Sequence, residues 1–208
     1  MNEIANFCDG HCIMTAQSEL GNESLFECVC SEPEYHSLDF PPYFVGGTPP
    51  DTSTISMASI HYGDMEAKAS KSTLETMLNQ RAFILSRSTF SGSGHHTAHW
   101  LGDNTATWND MKYSIAGMIN MNLFGIPLVG ADVCGFDSNT TAELCARWMQ
   151  LGAFYPFYRN HNGIGFESQE PYAFGTTITD ISRSSLNLRY SLITYYYSQL
   201  IEIGVSGG

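Results

Sequence analysis

The sequence predicts an α/β fold in which short buried strands alternate with helices along a parallel sheet or barrel. Three observations predict it: short apolar runs with the length of buried strands, segments with helical periodicity between them, and residues typical of helix caps and stops at the ends of those segments. Strand and helix alternating in this way is the βα pattern of a parallel sheet or barrel. Three or four such units would make only half of an eight-unit barrel.

The first two helices and the first strand are predicted from residue 64 onward. Residues 64–79 read as a helix with a weak apolar face, and 81–89 (RAFILSRST) as a buried strand. Residues 91–99 (SGSGHHTAH) read as a flexible Gly-Ser loop. A second helix covers 111–125, because apolar side chains recur near one face and Gly125 stops it.

The remaining elements continue the alternation. Residues 126–136 (IPLVGADVCGF) form the second predicted strand, and 156–162 (PFYRNHN) the third. Between them, a helix over 140–155 can be capped by either of two threonines, with a glutamate able to close a capping box. A long amphipathic helix over 182–204 ends at a glycine.

Two regions of different composition divide the chain. Residues 1–60 are a loop-rich segment with four cysteines, and 61–208 hold the βα units. So long a loop region is unusual in a compact domain unless it is functional or covalently pinned. We expect its cysteines to pair among themselves in an order that the sequence leaves open; they are Cys8, Cys12, Cys28 and Cys30.

Composition narrows the class of ligand. The 208 residues are 43% hydrophobic and 12% aromatic, which is typical of a globular protein, and the formal net charge is −12. That acidity argues against nucleic acid and anionic membranes as partners, because both attract basic patches. No apolar stretch is long enough to span a membrane. A neutral ligand such as a sugar suits the low charge better.

The cysteines and two sequons indicate an oxidising compartment of the secretory pathway. Six cysteines form an even set, and Asn22 and Asn139 begin glycosylation sequons. The lysosome, the endoplasmic reticulum and the extracellular space all fit. No signal peptide opens the chain, which stands in contradiction to this secretory pattern.

Polar side chains follow the predicted strands, where ligands bind in α/β folds. They are Arg87, Asp103, Asp132 and His161. Asp103 lies in the sequence HWLGDNTATW, between two tryptophans, as suits a carboxylate in a sugar-cleaving site. Taken without further information, Arg87 and Asp132 read as a structural ion pair, and a lone His161 as a core histidine.

The sequence LVGADVCGFDSNTTAELCARWMQLGAFYPFYRN (128–160) resembles the signature of glycoside hydrolase family 31, the α-glucosidase group. The similarity extends to FILSRSTFSGSG, HWLGDNTATW, NLFGIP and QEPYAF, and covers residues 81 to about 201. The resemblance implies a (β/α)8 TIM barrel. The chain would supply its second half, about strands 5–8, as a fragment.

The resemblance also implies roles for individual residues. Asp103 matches the general acid/base of a retaining mechanism. The residues that match the sugar pocket are Arg87, Asp132 and His161, which bond hydroxyls, and Trp100 and Phe136, which form aromatic walls. Cys134 and Cys145 match a disulfide of the family, whereas Trp148 stays with the core.

The nucleophile motif of the family, Trp-x-Asp-Met-Asn-Glu, is matched only at its end. Met1 and Glu3 fall within its last three letters, so Met1 is expected in the substrate site and Glu3 as the trailing acid of the catalytic motif. The nucleophilic aspartate would precede Met1, so little or no turnover is expected of the chain as it stands. The segment between His61 and Arg81 is also shorter than in the family.

The expected activity is the hydrolysis of terminal α-linked glucose in oligosaccharides or glycans, without a cofactor. His95, His96 and His99 with Asp103 suggest a metal cluster on spacing alone, but the matching family loop holds no metal and none is expected. The missing half-barrel of a longer native chain is a possible partner. The alternatives are a non-catalytic carbohydrate-binding remnant and an unstable fragment.

Overall fold

The computed structural model describes the backbone of residues 11–14, 26–29 and 52–206, and the side chains of 61–206. Its helices are α1 (Thr52–Leu78), α2 (Trp108–Leu123), α3 (Ala142–Gly152) and α4 (Thr176–Ser206). Its strands are β1 (His11–Met14), β2 (Phe26–Val29), β3 (Leu85–Ser86), β4 (Ala98–Trp100), β5 (Val129–Gly130), β6 (Asp132–Val133) and β7 (Arg159–Asn160). Short 3-10 helices cover Ser93–His95 and Pro171–Phe174.

Residues 1–60 contain regular structure that the sequence does not predict. β1 and β2 pair antiparallel, with Cys12 opposite Cys28 in the backbone register. Helix α1 begins at Thr52, so it crosses the expected boundary at residue 60. The predictions for Met1, Glu3, Cys8, Asn22 and Cys30 lie outside the described residues.

The other strands are parallel and follow one another in chain order, as the βα alternation predicts. β3 pairs with β4, β4 with β5, and β6 with β7, all in parallel. Only Ala131 separates β5 from β6, so one run of chain connects the two small sheets. Within the described residues this array does not close into a barrel, because β3 and β7 each have one neighbour.

The prediction of a flexible Gly-Ser loop over 91–99 is wrong. The segment forms a 3-10 turn and then enters β4. Ser93 is fully buried, where its hydroxyl donates to a carboxylate oxygen of Asp64 at 2.5 Å and accepts from the Phe90 backbone N–H at 2.8 Å. Gly94 is needed there because a Cβ would lie 2.0 Å from the Gly125 carbonyl oxygen. Side-chain bonding and close backbone contact therefore order this loop.

The core lies between α3 and β6, directly behind the strand ends. The buried members of this cluster are Ala131, Val133, Cys134, Leu144, Cys145, Trp148, Met149 and Tyr155. Trp148 is fully buried and its indole N–H donates to the Tyr155 hydroxyl at 3.0 Å, which confirms it as a core residue. A disulfide joins Cys134 to Cys145, as the family resemblance implies, and so ties the end of β6 to α3.

All four helices differ from the sequence prediction at their ends: α1 begins at Thr52 and not at 64, and α2 at Trp108 and not at 111. Thr141, not Thr140, caps α3, with its hydroxyl accepting from the Leu144 N–H at 3.2 Å. Glu143 is therefore one position too early to close a capping box and pairs instead with Arg147. Helix α4 begins six residues before the predicted start at 182.

Among the described helices, none combines the length and apolar character that crossing a bilayer requires.

Candidate active site

The predicted site residues lie at the carboxyl ends of the parallel strands. Arg87 follows β3, Asp103 follows β4, Asp132 is the first residue of β6, and His161 follows β7. Because parallel strands end at the same edge, these side chains come from four neighbouring strand ends of one rim. The structure therefore brings together the four polar residues singled out in the sequence.

Asp103 pairs with Arg87 in the turn after β4. Their nearest atoms, Oδ2 and Nη1, are 3.2 Å apart, and both side chains are partly exposed. Gly102, with φ +81°, precedes the acid, and a Cβ there would lie 3.0 Å from Cδ of Arg87. The glycine therefore leaves room for the arginine to lie along the turn. The simpler expectation of an Arg87–Asp132 ion pair is wrong.

Asp132 is fully buried, and only one of its two carboxylate oxygens has a hydrogen-bond partner among the described residues. Its Oδ1 accepts hydrogen bonds from Nε of Arg159 at 2.8 Å and from Nη2 at 2.5 Å. Its Oδ2 is equally buried and has no hydrogen-bond partner among the described residues. Burial raises the pKa of the Asp132 carboxyl, and the hydrogen bonds and charge of Arg159 oppose that rise. A buried carboxylate oxygen without a donor is costly, so this atom is the natural acceptor for a ligand hydroxyl.

Arg159 is a site residue to which the sequence assigned no role. Its guanidinium lies over the Trp100 ring, 5.3 Å from the centroid, and over the Phe157 ring at 5.4 Å. Trp100, expected as an aromatic wall of the pocket, is buried and uses one face for this contact. Its position in the sequence could have indicated a role in the site, because Arg159 lies two residues before His161 at the end of a predicted strand.

Phe136 and His161 form the aromatic side of the rim. Their ring centroids are 5.2 Å apart with the planes tilted by 44°. The Gly163 N–H donates to the Phe136 carbonyl at 2.8 Å, which holds the segment after β7 against the loop after β6. The His161 side chain is exposed and Phe136 half-buried, so both are accessible at the rim.

Asn104 connects the two acidic segments and was also missed. Its side-chain amide donates to the Asp132 carbonyl at 3.0 Å, and its Oδ1 accepts from the Phe136 N–H at 3.1 Å. Its own carbonyl accepts from the Phe136 and Asp137 N–H groups at 2.8 and 2.9 Å. We call this set of bonds the Asn104 clasp. It fixes the turn of Asp103 against the loop after β6.

The three histidines before Asp103 do not lie together: His99 is buried on β4, whereas His95 and His96 precede that strand. Nδ1 of His99 lies 3.4 Å from the Thr89 hydroxyl, and burial lowers the pKa of this histidine. The rings of His95 and His96 lie 6.3 Å apart before that strand. In the described part of the chain, no three metal-ligating side chains lie close enough together to hold an ion.

Parallel βα units with carboxylates, arginines and aromatic rings at their strand ends have the arrangement found in glycosidases of the α/β-barrel class. Residues 1–199 match the TIM-barrel domain of the glycosyl hydrolases family 31, and the chain belongs to this family. It is a glycoside hydrolase sequence.

Similar proteins are α-glucosidases. Intestinal sucrase-isomaltase of Oryctolagus cuniculus is 45% identical over 219 residues, covering 95% of this chain and 11% of the relative. Lysosomal acid α-glucosidase of Tetrahymena pyriformis is 40% identical over 236 residues, covering 97% of this chain and 25% of the relative. The chain thus spans about a tenth to a quarter of the length of these relatives.

Solved structures of related enzymes share the fold of this chain over much of its length. The family 31 α-glucosidase of Bacteroides thetaiotaomicron has a TM-score of 0.66 and 36% identity, covering 74% of this chain and 26% of that chain. The glucosidase II α subunit in its Glc1Man2-bound form has a TM-score of 0.63 and 38% identity, covering 66% and 15%.

Proposed function

We propose that the protein containing this chain hydrolyses terminal α-linked glucose from oligosaccharides or glycans by a retaining mechanism. The observation that carries the proposal is the buried, unpartnered Oδ2 of Asp132 on the same rim as the exposed carboxylate of Asp103. One carboxylate has the burial suited to holding a sugar hydroxyl, and the other has the access needed for proton transfer. The α-glucosidase names of the relatives support the same activity.

Asp103 acts as the general acid/base in this proposal. It protonates the glycosidic oxygen as the bond to the leaving group breaks, and later removes a proton from the attacking water. Arg87 holds Asp103 and shares with Asp132 and His161 the hydrogen bonding of sugar hydroxyls. Phe136 and Trp100 supply apolar faces that match those of a pyranose. No metal or organic cofactor takes part in these steps.

The covalent step requires a second carboxylate on the opposite face of the sugar. We propose that it is the aspartate of the family's nucleophile motif, whose continuation resembles Met1–Glu3. In this proposal Met1 is a substrate-binding residue, and Glu3 is the trailing acid of the catalytic motif. Residues 1–60 connect that strand to the βα units of 61–208.

We propose that β3 to β7 are strands 5 to 8 of the barrel, with β5 and β6 as parts of one strand. The outer edges of β3 and β7 have no neighbour within the described residues. Unpaired edges of a parallel sheet are disfavoured, because their N–H and C=O groups seek partners. The other half of the barrel is the partner that this geometry fits.

The proposed location is the secretory pathway, in the lysosome, the endoplasmic reticulum or outside the cell. The Cys134–Cys145 disulfide supports an oxidising compartment. Asn139 supports it as an exposed sequon before α3, although its Oδ1 accepts from the Glu167 N–H at 2.8 Å. Asn22 is the second proposed glycosylation site.

Asp103→Asn in the native-length protein tests the activity. Glucose release from maltose should fall by about 100-fold or more, because general acid–base catalysis contributes on that scale. An activated substrate, 4-nitrophenyl α-glucoside, should lose less in the first step, since its leaving group needs no proton. Asp180→Asn, at an exposed pair on α4, is the matched control and should keep wild-type rates.

Full activity in Asp103→Asn would refute the assigned role. The alternative function, sugar binding without cleavage, is favoured by the same Oδ2 of Asp132. Calorimetry that detects maltose binding in wild-type protein that releases no glucose would decide for that alternative.

A further inference from the structure

We propose that Arg159 is a positioning residue for sugar recognition, holding Oδ1 of Asp132 so that Oδ2 alone is presented to a hydroxyl of the glucose unit. The inference rests on the proposed function, because it explains how that site selects its ligand. Arg159 is not assigned to contact the sugar or the reacting atoms.

Arg159 meets Asp132 in an unusual way, with both donors on one carboxylate oxygen. Arginine and carboxylate often pair fork to fork, with one donor on each oxygen. Here Nε and Nη2 both donate to Oδ1, at 2.8 and 2.5 Å. The pair therefore neutralises the carboxylate without occupying Oδ2, which stays buried and unpartnered within the described residues. A fork-to-fork pair would leave Asp132 no comparable oxygen for a ligand.

The guanidinium of Arg159 is itself held in place by two aromatic rings. Trp100 on β4 and Phe157 before β7 both present ring faces to it, at 5.3 and 5.4 Å. These are cation–π contacts, which arginine makes more often than lysine. Arg159 lies on β7 and Asp132 on β6, in register as partners of the parallel pair. Strand register and ring contacts together fix the direction in which Oδ2 points.

Three charged or titratable groups surround the Asp132 carboxylate. The groups that act on it are Arg159 from β7, His161 after β7, and Asp103 after β4. Arg159 and His161 favour the ionised carboxylate, whereas burial and Asp103 oppose it. Without Arg159 the balance shifts toward the protonated acid. Its hydroxyl would then be a donor where the sugar hydroxyl needs an acceptor.

The test is the pH dependence of kcat/KM for maltose in wild type, Arg159→Met and Arg159→Lys, measured in the native-length protein. Near neutral pH, Arg159→Met should lose about 100-fold, as expected when one partner of a desolvated charge pair is removed. The loss should shrink as pH rises, because Asp132 then ionises again. Arg159→Lys should fall between, since it keeps the charge but not the fork.

Arg183→Met is the matched control, because Arg183 forms an exposed pair on α4. It should leave the pH profile unchanged. A loss in Arg159→Met that is the same at every pH, or activity within about twofold of wild type, would overturn the proposal, because a charge-holding role predicts a pH-dependent loss.

A readout without turnover separates this inference from the proposed function. The ¹³C shift of the Asp132 carboxyl, assigned with Asp132→Asn, is titrated in the 208-residue chain. Arg159→Met should move its midpoint to higher pH, even if the wild-type protein cleaves no α-glucoside. An unmoved midpoint overturns the positioning role, whereas absent glucose release in the wild type counts only against the proposed function.

Discussion

The unpartnered Oδ2 of Asp132, which accepts a sugar hydroxyl in the proposed function, has a consequence for the stability of the fold. A carboxylate that is fully buried with one unsatisfied oxygen weakens the fold at neutral pH, and burial is the main reason that its pKa is raised. A raised folded-state pKa gives stability that is present below the ordinary value of an aspartate and is lost as the pH rises through the folded value. The site therefore keeps an acceptor for a ligand at a cost in free energy of unfolding.

Arg159→Met should lower the free energy of unfolding in a way that depends on the ionisation of Asp132. At pH 7 the free energy of unfolding should fall by about 3 kcal/mol, because a buried carboxylate loses its cation. Near pH 4 the loss should be much smaller, since the protonated acid needs no counter-charge. Chemical denaturation at the two pH values measures the difference. Equal losses at both would show that packing against Trp100, not charge, dominates.

The contribution of His99 to stability should depend on pH in the opposite direction. Burial lowers its pKa below 6.5, so the folded state holds a neutral ring that the unfolded chain would protonate. The stability from this residue is present above the unfolded pKa and is lost as the pH falls through the folded pKa. His99→Gln should flatten the decline in melting temperature between pH 7 and pH 5. His95→Gln, at an exposed position, should keep the wild-type slope.

At the scale of elements, the loops after β4 and β6 behave as one unit through the Asn104 clasp. Asn104→Ala removes the donor to the Asp132 carbonyl and one acceptor of the Phe136 N–H. We expect a loss of about 1–2 kcal/mol in the free energy of unfolding, because two side-chain hydrogen bonds are lost, while the Asp132 carbonyl keeps its bond from the Gly135 N–H. Asn109→Ala, exposed at the start of α2, is the control, and an equal loss there would contradict the clasp.

The disulfide has its own effect on the end of β6. Cys134 has a φ of +78°, which is strained for a residue with a side chain, and its bond to Cys145 holds it against α3. The double change Cys134→Ser/Cys145→Ser should lower stability by about 3 kcal/mol, from the freedom regained by the unfolded chain. A reductant should lower the melting temperature of wild type but not of the double variant. Equal melting temperatures without reductant would argue against the prediction.

What the sequence predicts well are the features with strong local signals. The apolar runs place the parallel strands that end near Arg87 and Asp132, and the family resemblance places Cys134 beside Cys145. It misses β4, because Ala98, His99 and Trp100 follow a Gly-Ser run and do not form an apolar stretch. Such features depend on contacts distant in sequence.

The sequence also fails to predict the role of Arg159 and the residue that caps α3, for a related reason. No local pattern says that Asp132 takes Arg159 and leaves Arg87 for Asp103, because strand order and packing decide it. Thr140 and Thr141 are equally good caps by composition. Only the folded backbone selects the second.

At the scale of the whole molecule, the described chain leaves much apolar surface uncovered. Along α2, the exposed fractions are 46% for Ile115, 57% for Ile119 and 76% for Leu123, which recur every four residues on one side. Surface of this kind marks contact with another protein segment or a tendency to aggregate. The open edges of β3 and β7 add to it.

Ile119→Glu/Leu123→Glu should therefore reduce self-association of the 208-residue chain in sedimentation velocity. The added charges repel within a chain that already carries −12, and the removed side chains are exposed, so the melting temperature should change little. Lys112→Glu, also exposed on α2, controls for charge alone. If that control were equally effective, the apolar row would not be the cause.

The rim from Arg87 to His161 comes from one uninterrupted stretch of chain, and three of its ties run within it: the Asn104 clasp, the disulfide and the Asp132–Arg159 pair. Gln169, eight residues further on, adds hydrogen bonds to the Val133 and Gly135 carbonyls and to Asn160. A recombination event with breakpoints outside residues 87–169 would move this half of the proposed sugar site intact. Exchange between family members would then alter sugar preference in a single step, whereas the same pocket assembled from scattered segments would need many coordinated changes.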